Sequence, residues 1–245
     1  MKSLVCISHV PDTTTKIQFT QDGKALDKAG VTFVINPFDE FGLVRAIEFK
    51  EQTGQGNVTV LCVGGAEVEP TLRKALAIGA DDAVRVDAEP LDGMFVAHQI
   101  AAYAKGRGFD LIFLGKESID GNGSEVPGMV AELLDLPFVS QAIELKVEGD
   151  KAHLKREIDG GYERVQSSLP VVVSCQKGIA EWRIPNMRGI MMAKTKRLEV
   201  ATPVAGDAAV STVKLELPPA KGGCVYIDAE NAGKLVEMLV DKGLI

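Results

Sequence analysis

The sequence has few of the residues that build disulfide-rich or metal-binding proteins. Its 245 residues include four cysteines and three histidines, all scattered, with no CxxC pair and no metal-ligand spacing. Disulfides and a zinc site are therefore not expected, and a reducing compartment is favoured. No pair of carboxylates and no nucleophile–base arrangement stands out either, so we predict neither a metal site nor catalytic side chains.

Two further absences exclude classes of function. No apolar stretch is long enough to span a bilayer, so we expect no integral membrane segment. An excess of basic residues is also missing, since the formal net charge is −7, which argues against a nucleic-acid partner. The first apolar run is too short for a signal peptide. We therefore expect a bacterial cytoplasmic protein, or a mitochondrial matrix protein whose leader has been removed.

The most informative stretch that is present covers residues 110–134. Residues 111–114 are apolar, as in a strand that is buried on both faces. Residues 115–124 are rich in Gly, Asp, Asn and Ser and predict a loop. Apolar residues then recur at helical spacing from Val126, with Ser124 as the expected N-cap and Pro127 in the first turn. The pattern predicts a buried strand that leads through a loop into a helix.

A loop of this kind has a physical use. The first N–H groups of a helix lack partners within it and carry partial positive charge, so a phosphate binds there. Gly121, Gly123 and Gly128 would let a ligand approach the backbone closely. The stretch contains no GxxxxGK(S/T) motif and no complete dinucleotide fingerprint. A phosphate or nucleotide site and an ordinary strand-to-helix connection therefore both stay open on these residues alone.

The surrounding pattern indicates an α/β fold. Four or five apolar strands alternate with helical segments up to about residue 135, which predicts a doubly wound, mostly parallel sheet. Residues 17–34 predict a hairpin, in which residues 17–19 pair with 31–34 around a turn at Asp22-Gly23. Residues 140–168 alternate between apolar and polar and contain two turns, so we expect an antiparallel extension of the sheet.

The end of the chain has a different character. Residues 182–197 are basic, Met-rich and interrupted by Pro and Gly, which is typical either of a partner-binding surface or of a packed helix with a solvated basic end. Residues 201–223 predict an extended arm, and residues 230–239 a short amphipathic helix. We divide the chain into a nucleotide-binding α/β domain at 1–198, which includes the segments 140–168 and 182–197, and a C-terminal arm at 199–245 that needs a surface to lie on.

Several motifs together resemble the β (small) subunit of the electron transfer flavoproteins. They follow the family's order at near-family spacing over residues 1 to about 200, and the remaining residues match by position and length. The motifs are Val10-Pro11-Asp12 with Lys16-Ile17, Asn36-Pro37-Phe38-Asp39-Glu40, Ala77-Ile78-Gly79-Ala80-Asp81, Gly115-Lys116 with Ile119-Asp120-Gly121, Arg156-Glu157-Ile158-Asp159-Gly160-Gly161, Leu169-Pro170-Val171-Val172, and Ile190-Met191 with Ala193-Lys194.

The resemblance implies an α/β fold of the adenine-nucleotide α-hydrolase-like type and an electron carrier without catalytic residues of its own. It implies an α-subunit partner that holds the redox FAD, electron donors among the acyl-CoA dehydrogenases of fatty acid oxidation, and a membrane quinone oxidoreductase as acceptor. Common members hold a structural AMP in the β subunit, whereas bifurcating members hold a second, redox-active FAD there and use NADH.

Different features of this sequence favour different types within the family, the AMP-containing type or the bifurcating type. Residues 156–161 and the Met-rich, Lys-rich segment resemble the AMP-containing type, whereas Asp120-Gly121 and Val126 favour the bifurcating type. A stand-alone nucleotide-binding protein or hydrolase on the same fold is a third hypothesis. That hypothesis predicts no need for the segment at 182–197 or for the C-terminal arm.

By position, the resemblance also assigns the site residues. Thr13 falls near the partner's flavin. The residues at the positions that dock onto dehydrogenases are Met187, Arg188, Ile190 and Met191. The AMP-binding residues are Cys6, Asn36, Pro37, Phe38, Asp39, Val63, Gly115, Lys116, Glu117, Ser118, Ile119, Asp120, Gly121, Asn122, Gly123, Ser124, Glu125 and Val126.

The sequence departs from the family at Ser124-Glu125-Val126-Pro127, where many members read Asn-Gln-Thr-Gly. The change removes a hydroxyl and an N–H donor and puts a carboxylate near an anion. Either Glu125 points away and backbone amides bind the phosphate, or the site is weak or empty. We favour the first, because backbone donors do not depend on side-chain identity.

Overall fold

The computed structural model describes residues 1–245, which form one large sheet flanked by helices and followed by an arm. Short 3₁₀ turns at Ala66–Val68 and Ala229–Asn231 precede two of the helices. The strands and helices, in chain order, are β1 (Lys2–Cys6), β2 (His9–Pro11), β3 (Phe33–Ile35), α1 (Pro37–Thr53), β4 (Asn57–Val63), α2 (Glu69–Ile78), β5 (Asp82–Val86), α3 (Gly93–Ala104), β6 (Leu111–Gly115), α4 (Val126–Leu134), β7 (Phe138–Glu148), β8 (Lys151–Ile158), β9 (Gly161–Ser168), β10 (Val171–Cys175), α5 (Met187–Ala193), β11 (Leu198–Ala201) and α6 (Ala232–Asp241).

The large sheet has nine strands in the order β11-β5-β4-β1-β6-β10-β7-β8-β9. All neighbours from β11 to β7 pair in parallel, and β8 and β9 continue the sheet antiparallel. The chain first builds outward from β1 through β4 and β5, and then builds on the other side of β1 with β6 and β10. The predicted doubly wound sheet and its antiparallel extension are therefore confirmed.

Apolar side chains fill both faces of the sheet. A cluster of 30 buried residues lies on the face covered by α1 and α2, and a cluster of 16 on the face covered by α3 and α4. Because neighbouring side chains of a strand point to opposite faces, Leu111 and Phe113 belong to the first cluster and Ile112 to the second. Helix α1 approaches closely at Gly42, where a Cβ would lie 3.2 Å from the Cβ of Phe113.

The hairpin that we predicted at residues 17–34 is wrong in its pairing. The turn at Asp22-Gly23 is present, but the strand character around it is reduced to a single bridge between Phe19 and Leu26. The partner of β3 is β2, immediately after β1, with His9 opposite Ile35. This pairing buries Val10 and Ile35 and stacks the ring of His9 on Phe33 at 4.3 Å, whereas Ile17 stays 40% exposed.

The edge strand β11 was not predicted. It pairs in parallel with β5, with Leu198 opposite Ala83, and it crosses the boundary that we placed at residue 198. The strand is only half-buried, so its sequence lacks the continuous apolar run of the central strands. Beyond it, residues 202–228 contain no helix or strand, as expected for an extended arm. None of the helices is both long enough and apolar enough to cross a membrane.

Candidate functional site

A cavity of about 1000 Å³ opens where β1, β4 and β6 end, and we call it the edge cavity. Cys6, Val63 and Gly115 are the last residues of these three strands, and all three line the cavity. The strand order reverses at this point, because successive strands are added first on one side of β1 and then on the other. Open α/β sheets bind ligands at such a reversal, outside the carboxyl ends of the strands.

The structure brings most of the predicted nucleotide-binding residues together at this cavity, and Thr13 lines it as well. The residues Asn36, Pro37, Phe38, Lys116 and Asn122 do not line it. Those that do are Cys6, Asp39, Val63, Gly115, Glu117, Ser118, Ile119, Asp120, Gly121, Gly123, Ser124, Glu125 and Val126.

Asn36 holds the loop 115–126 in place from behind. The residue is fully buried, and it stands at the N-terminus of α1 without a side-chain capping bond. Its side-chain amide instead donates to the carbonyl of Glu117 at 2.8 Å and accepts from the N–H of Ile119 at 3.2 Å. Asn36 is therefore a positioning residue for the loop rather than a wall of the cavity.

Asp39 ties the ends of β1 and β6 to the first turn of α1. Its buried carboxylate accepts from the N–H of Ser8 at 2.7 Å and from the N–H of Gly115 at 2.6 Å. Burial raises the pKa of Asp39 to about 7, and the N–H donors of Ser8 and Gly115 oppose that shift. Gly115 has no room for a side chain, since a Cβ there would lie 2.7 Å from the Cβ of Phe38.

The loop itself turns through left-handed backbone conformations at Asn122 and Ser124, whose φ angles are 50° and 60°. The N-cap that we predicted at Ser124 is therefore wrong. Glu125 takes that position without a side-chain capping bond, and the Ser124 hydroxyl donates to Glu117 at 3.2 Å. A left-handed residue followed by a right-handed one turns successive N–H groups toward the same side, which is a backbone arrangement that binds anions.

Several N–H groups of this loop are free. Those of Gly121, Gly123, Ser124 and Glu125 donate to no protein group, although Asn122 donates to Ser118 at 2.8 Å. The helix α4 begins directly after them and adds the positive end of its dipole. Unpaired donors, a helix N-terminus and flanking glycines in one place fit a phosphate group.

Glu125, whose side chain we expected to point away from the phosphate, is one of the residues that line the edge cavity. Its carboxylate lies against two glycines that also line the cavity. A Cβ placed on Gly93 would be 2.6 Å from Oε1 of Glu125, and one on Gly123 would be 2.6 Å from its Cδ. These two glycines, at the start of α3 and in the loop, leave the space that the carboxylate occupies.

The cysteine in the cavity wall lies in surroundings that disfavour its thiolate. Cys6 is 5% exposed, and burial raises the pKa of its thiol, with the negative charge of Asp39 adding to the shift. Burial likewise raises the pKa of Cys62 to about 12. A thiol that stays protonated is unreactive, so Cys6 contributes an apolar surface to the cavity.

Sequence reasoning missed two groups of cavity residues. Glu89, Pro90 and Asp92 line it from the segment that follows β5, and their position after a parallel strand was a signal that would have found them. The second group is apolar and comprises Ile17, Phe19, Leu26 and Phe33, together with Leu215 of the C-terminal arm. Nothing local in the sequence places Leu215 there.

The predicted docking residues lie outside the edge cavity, on and around the short helix α5. Asn186 caps this helix by accepting from the N–H of Gly189 at 2.8 Å, and α5 packs against α2. Met187 and Met191 are exposed, by 74% and 68%, and Ile190 by 41%. The helix thus presents an apolar surface to solvent, with Arg188 also exposed.

Comparisons with known proteins agree with this architecture. The family model described as "Electron transfer flavoprotein domain" matches residues 24–205. Among curated relatives, the electron transfer flavoprotein subunit beta of Syntrophomonas wolfei is 37% identical over 98% of this chain and 96% of its own length. The proteins of the same name from Bacillus subtilis and Mus musculus are 35% and 34% identical, over 98% and 100% of this chain and 97% and 99% of their own lengths. The chain therefore belongs to the electron transfer flavoprotein family.

Proposed function

We propose that this chain is the small subunit of a heterodimeric electron carrier. Its α-subunit partner holds the redox FAD, which supplies the electron-transfer chemistry when it is bound. The carrier accepts electrons from acyl-CoA and related dehydrogenases and delivers them to a membrane quinone oxidoreductase, in a bacterial cytoplasm or a mitochondrial matrix. The family membership and the near full-length matches to proteins named as beta subunits support this assignment.

The C-terminal arm supports the need for a partner subunit. Helix α6 has no buried residue, and Leu235, Val236 and Val240 on it are each about half-exposed. Tyr226, just before the helix, is 92% exposed. Apolar side chains in such numbers on an extended segment are stabilised by burial against another surface, which we assign to the α subunit.

The edge cavity is proposed to hold a structural AMP. The observation that carries this part is the set of free N–H groups at Gly121, Gly123, Ser124 and Glu125, which lie at the N-terminus of α4 and face no protein acceptor. Its volume lies within the range of small-molecule sites. In this assignment the loop binds the phosphate, while Asn36 and Asp39 hold the loop and the strand ends in register.

The remaining residues position the electron-transfer partners. Thr13 lines the cavity, and we assign to it an approach to the partner's flavin. Met187, Ile190 and Met191 would enter an apolar pocket of a dehydrogenase, because their exposed side chains are flexible enough to fit several surfaces. Arg188 and the lysines after it would meet acidic partner surfaces and raise the association rate more than the affinity.

A second candidate is the bifurcating type, in which this cavity holds a second FAD and the chain uses NADH. The observation that favours it is the cavity's size, at the upper end of the range for small-molecule sites. Its apolar lining residues, which include Phe19 and Phe33, offer a surface for a flat ring system.

Cofactor content tests the two candidates. The α/β complex would be purified and denatured, and the released FAD and AMP would be quantified per heterodimer by chromatography. One FAD with one AMP is the expected result. Two FAD without AMP would establish the bifurcating alternative, and one FAD without AMP would overturn the structural AMP. Failure of the chain to associate with an α subunit would instead favour the stand-alone nucleotide-binding protein.

A further inference from the structure

The edge cavity is unusually acidic for a phosphate site. Glu117, Asp120 and Glu125 line it from the loop, and Glu89 and Asp92 line it from the segment before α3. Among all the residues that line this cavity, Lys28 is the single lysine or arginine. The groups that attract a phosphate here are thus neutral backbone donors, while most of the full charges around them are negative.

These carboxylates are not equivalent. Glu117 is paired with Lys116 at 3.3 Å and accepts from Ser124, and Asp92 accepts from the N–H groups of Phe95 and Val210 at 2.7 and 3.0 Å. The carboxylate of Glu125, like those of Asp120 and Glu89, takes part in no ion pair and accepts no hydrogen bond from the protein, although the backbone carbonyl of Glu125 accepts from the N–H of Met129. Its negative charge is therefore not offset by a neighbouring group.

Glu125 is also the carboxylate attached to the free donors themselves. Its own N–H and those of Gly123 and Ser124 are among the unpaired groups, and its carboxylate packs on Gly123. A phosphate bound by these N–H groups would therefore lie close to the carboxylate. Like charges at such a distance repel, and the repulsion grows with every charge on the ligand.

We propose that Glu125 determines specificity in the edge cavity by limiting the charge of the bound nucleotide, so that a nucleoside monophosphate is accepted and a nucleoside di- or triphosphate is rejected. This inference rests on the proposed nucleotide site. The loop supplies enough neutral donors for one phosphate group, and each additional phosphate increases the repulsion without gaining a cationic partner. Specificity thus comes from an unfavourable contact rather than from an added attractive one.

The test measures AMP, ADP and ATP binding to the purified α/β complex by equilibrium dialysis. Glu125→Gln removes the charge and keeps the shape of the side chain. The wild type should bind AMP most tightly and ATP least. In Glu125→Gln we expect AMP affinity to rise roughly threefold and ADP affinity roughly tenfold or more, since ADP carries more charge. The difference between wild type and variant should shrink at high salt, which screens the repulsion.

Glu132→Gln is the matched control. It removes the same charge from an exposed position of the same helix, and Glu132 does not line the cavity, so its nucleotide affinities should equal those of the wild type. Thermal unfolding of both variants would verify that the fold is kept.

The outcomes separate this inference from the proposed function. An AMP-to-ADP affinity ratio that is the same in wild type and Glu125→Gln would overturn the role of Glu125 and leave the AMP site standing. A wild type that binds no AMP, with a Glu125→Gln variant that does, would overturn the structural AMP and also the proposed selectivity, because the charge of Glu125 would then exclude the monophosphate as well. Absence of binding by both would overturn both proposals.

Discussion

The α/β domain up to residue 201 and the arm that follows it use apolar residues in opposite ways. Apolar side chains of the domain fill two clusters, one on each face of the sheet. No residue of the arm is buried, and Val213 and Tyr226 are 84% and 92% exposed. The difference shows that apolar content alone does not produce a core, because burial also requires a second layer to pack against.

The arm is nevertheless fixed to the domain at a few points. Gln99 of α3 both donates to and accepts from the backbone of Val204, at 2.9 and 2.8 Å. Asp92 accepts from the N–H of Val210, and the N–H of Leu215 donates to the carbonyl of Gly23 at 2.7 Å. Hydrogen bonds thus lead the arm past the edge cavity, while its apolar side chains stay available to another surface.

The largest expected effect lies in the domain. Phe113 is fully buried in the central strand β6 and faces Gly42 of α1. Phe113→Ala should lower the free energy of unfolding by about 3–5 kcal/mol, because it leaves a cavity that the sheet and α1 cannot close. Urea denaturation measures the change. Val213→Ala in the arm is the control and should change the free energy by less than about 0.5 kcal/mol. Equal losses of stability in the two variants would contradict the conclusion that apolar residues stabilise the domain but not the arm.

The second effect is a pH dependence that also originates in the domain. Asp39 has a pKa of about 7 when folded, whereas an unfolded Asp titrates near 4, so the folded state keeps a proton that the unfolded chain releases. The free energy of unfolding should therefore fall as pH rises from about 4 to about 7, by at most about 4 kcal/mol, and lose this dependence above pH 7.

Asp39→Asn isolates that contribution. The variant cannot titrate at this position, so its free energy of unfolding should vary less between pH 4 and pH 7 than that of the wild type. Burial lowers the pKa of His9, which acts in the opposite direction, but His9 is present in both proteins and cancels in the difference. Urea denaturation at a series of pH values gives both curves. Identical slopes would show that Asp39 does not titrate in this window.

The smallest effect on stability is expected in the arm. Removal of residues 207–245 keeps the Gln99–Val204 bonds and deletes no buried side chain. It removes only exposed hydrogen bonds to the domain, among them those of Val210 and Leu215, so the free energy of unfolding of the purified chain should fall by at most about 2 kcal/mol. Co-purification with the α subunit should be lost, because the exposed apolar residues of α6 are gone. A strongly destabilised chain would show that the arm stabilises its own domain, and normal association would show that it does not bind the α subunit.

Local sequence patterns were sufficient to predict most of the helices and strands. The apolar runs gave the central strands, the alternation and turns gave β7, β8 and β9, and the spacing after Val126 gave α4. The resemblance assigned Cys6, Val63 and Gly115 to one site, and these residues come together at the edge cavity because each ends a strand of the parallel part of the sheet. These features depend on neighbours in the sequence or on a general property of parallel sheets.

Pairing between distant segments was not predictable in the same way. Both candidate partners of residues 31–34 alternate and contain β-branched or aromatic residues, and the choice of His9–Pro11 follows from the burial of Val10 and Ile35. The edge strand β11 and the contact of Leu215 with Gly23 likewise bring together residues far apart in the chain. Such contacts produce no periodic pattern of apolar residues in the local sequence, so the sequence does not predict them.

The sequence by itself determined the doubly wound sheet, its antiparallel extension and the loop at the carboxyl edge, because periodicity and turn residues act over a few positions. Only the tertiary structure decided what surrounds that loop. It placed Asn36 and Asp39 behind the loop, Glu125 against Gly93 and Gly123, and Leu215 in the lining of the cavity. Side-chain direction and charge balance in a cavity depend on which distant elements meet there, and that is set by packing of the whole domain.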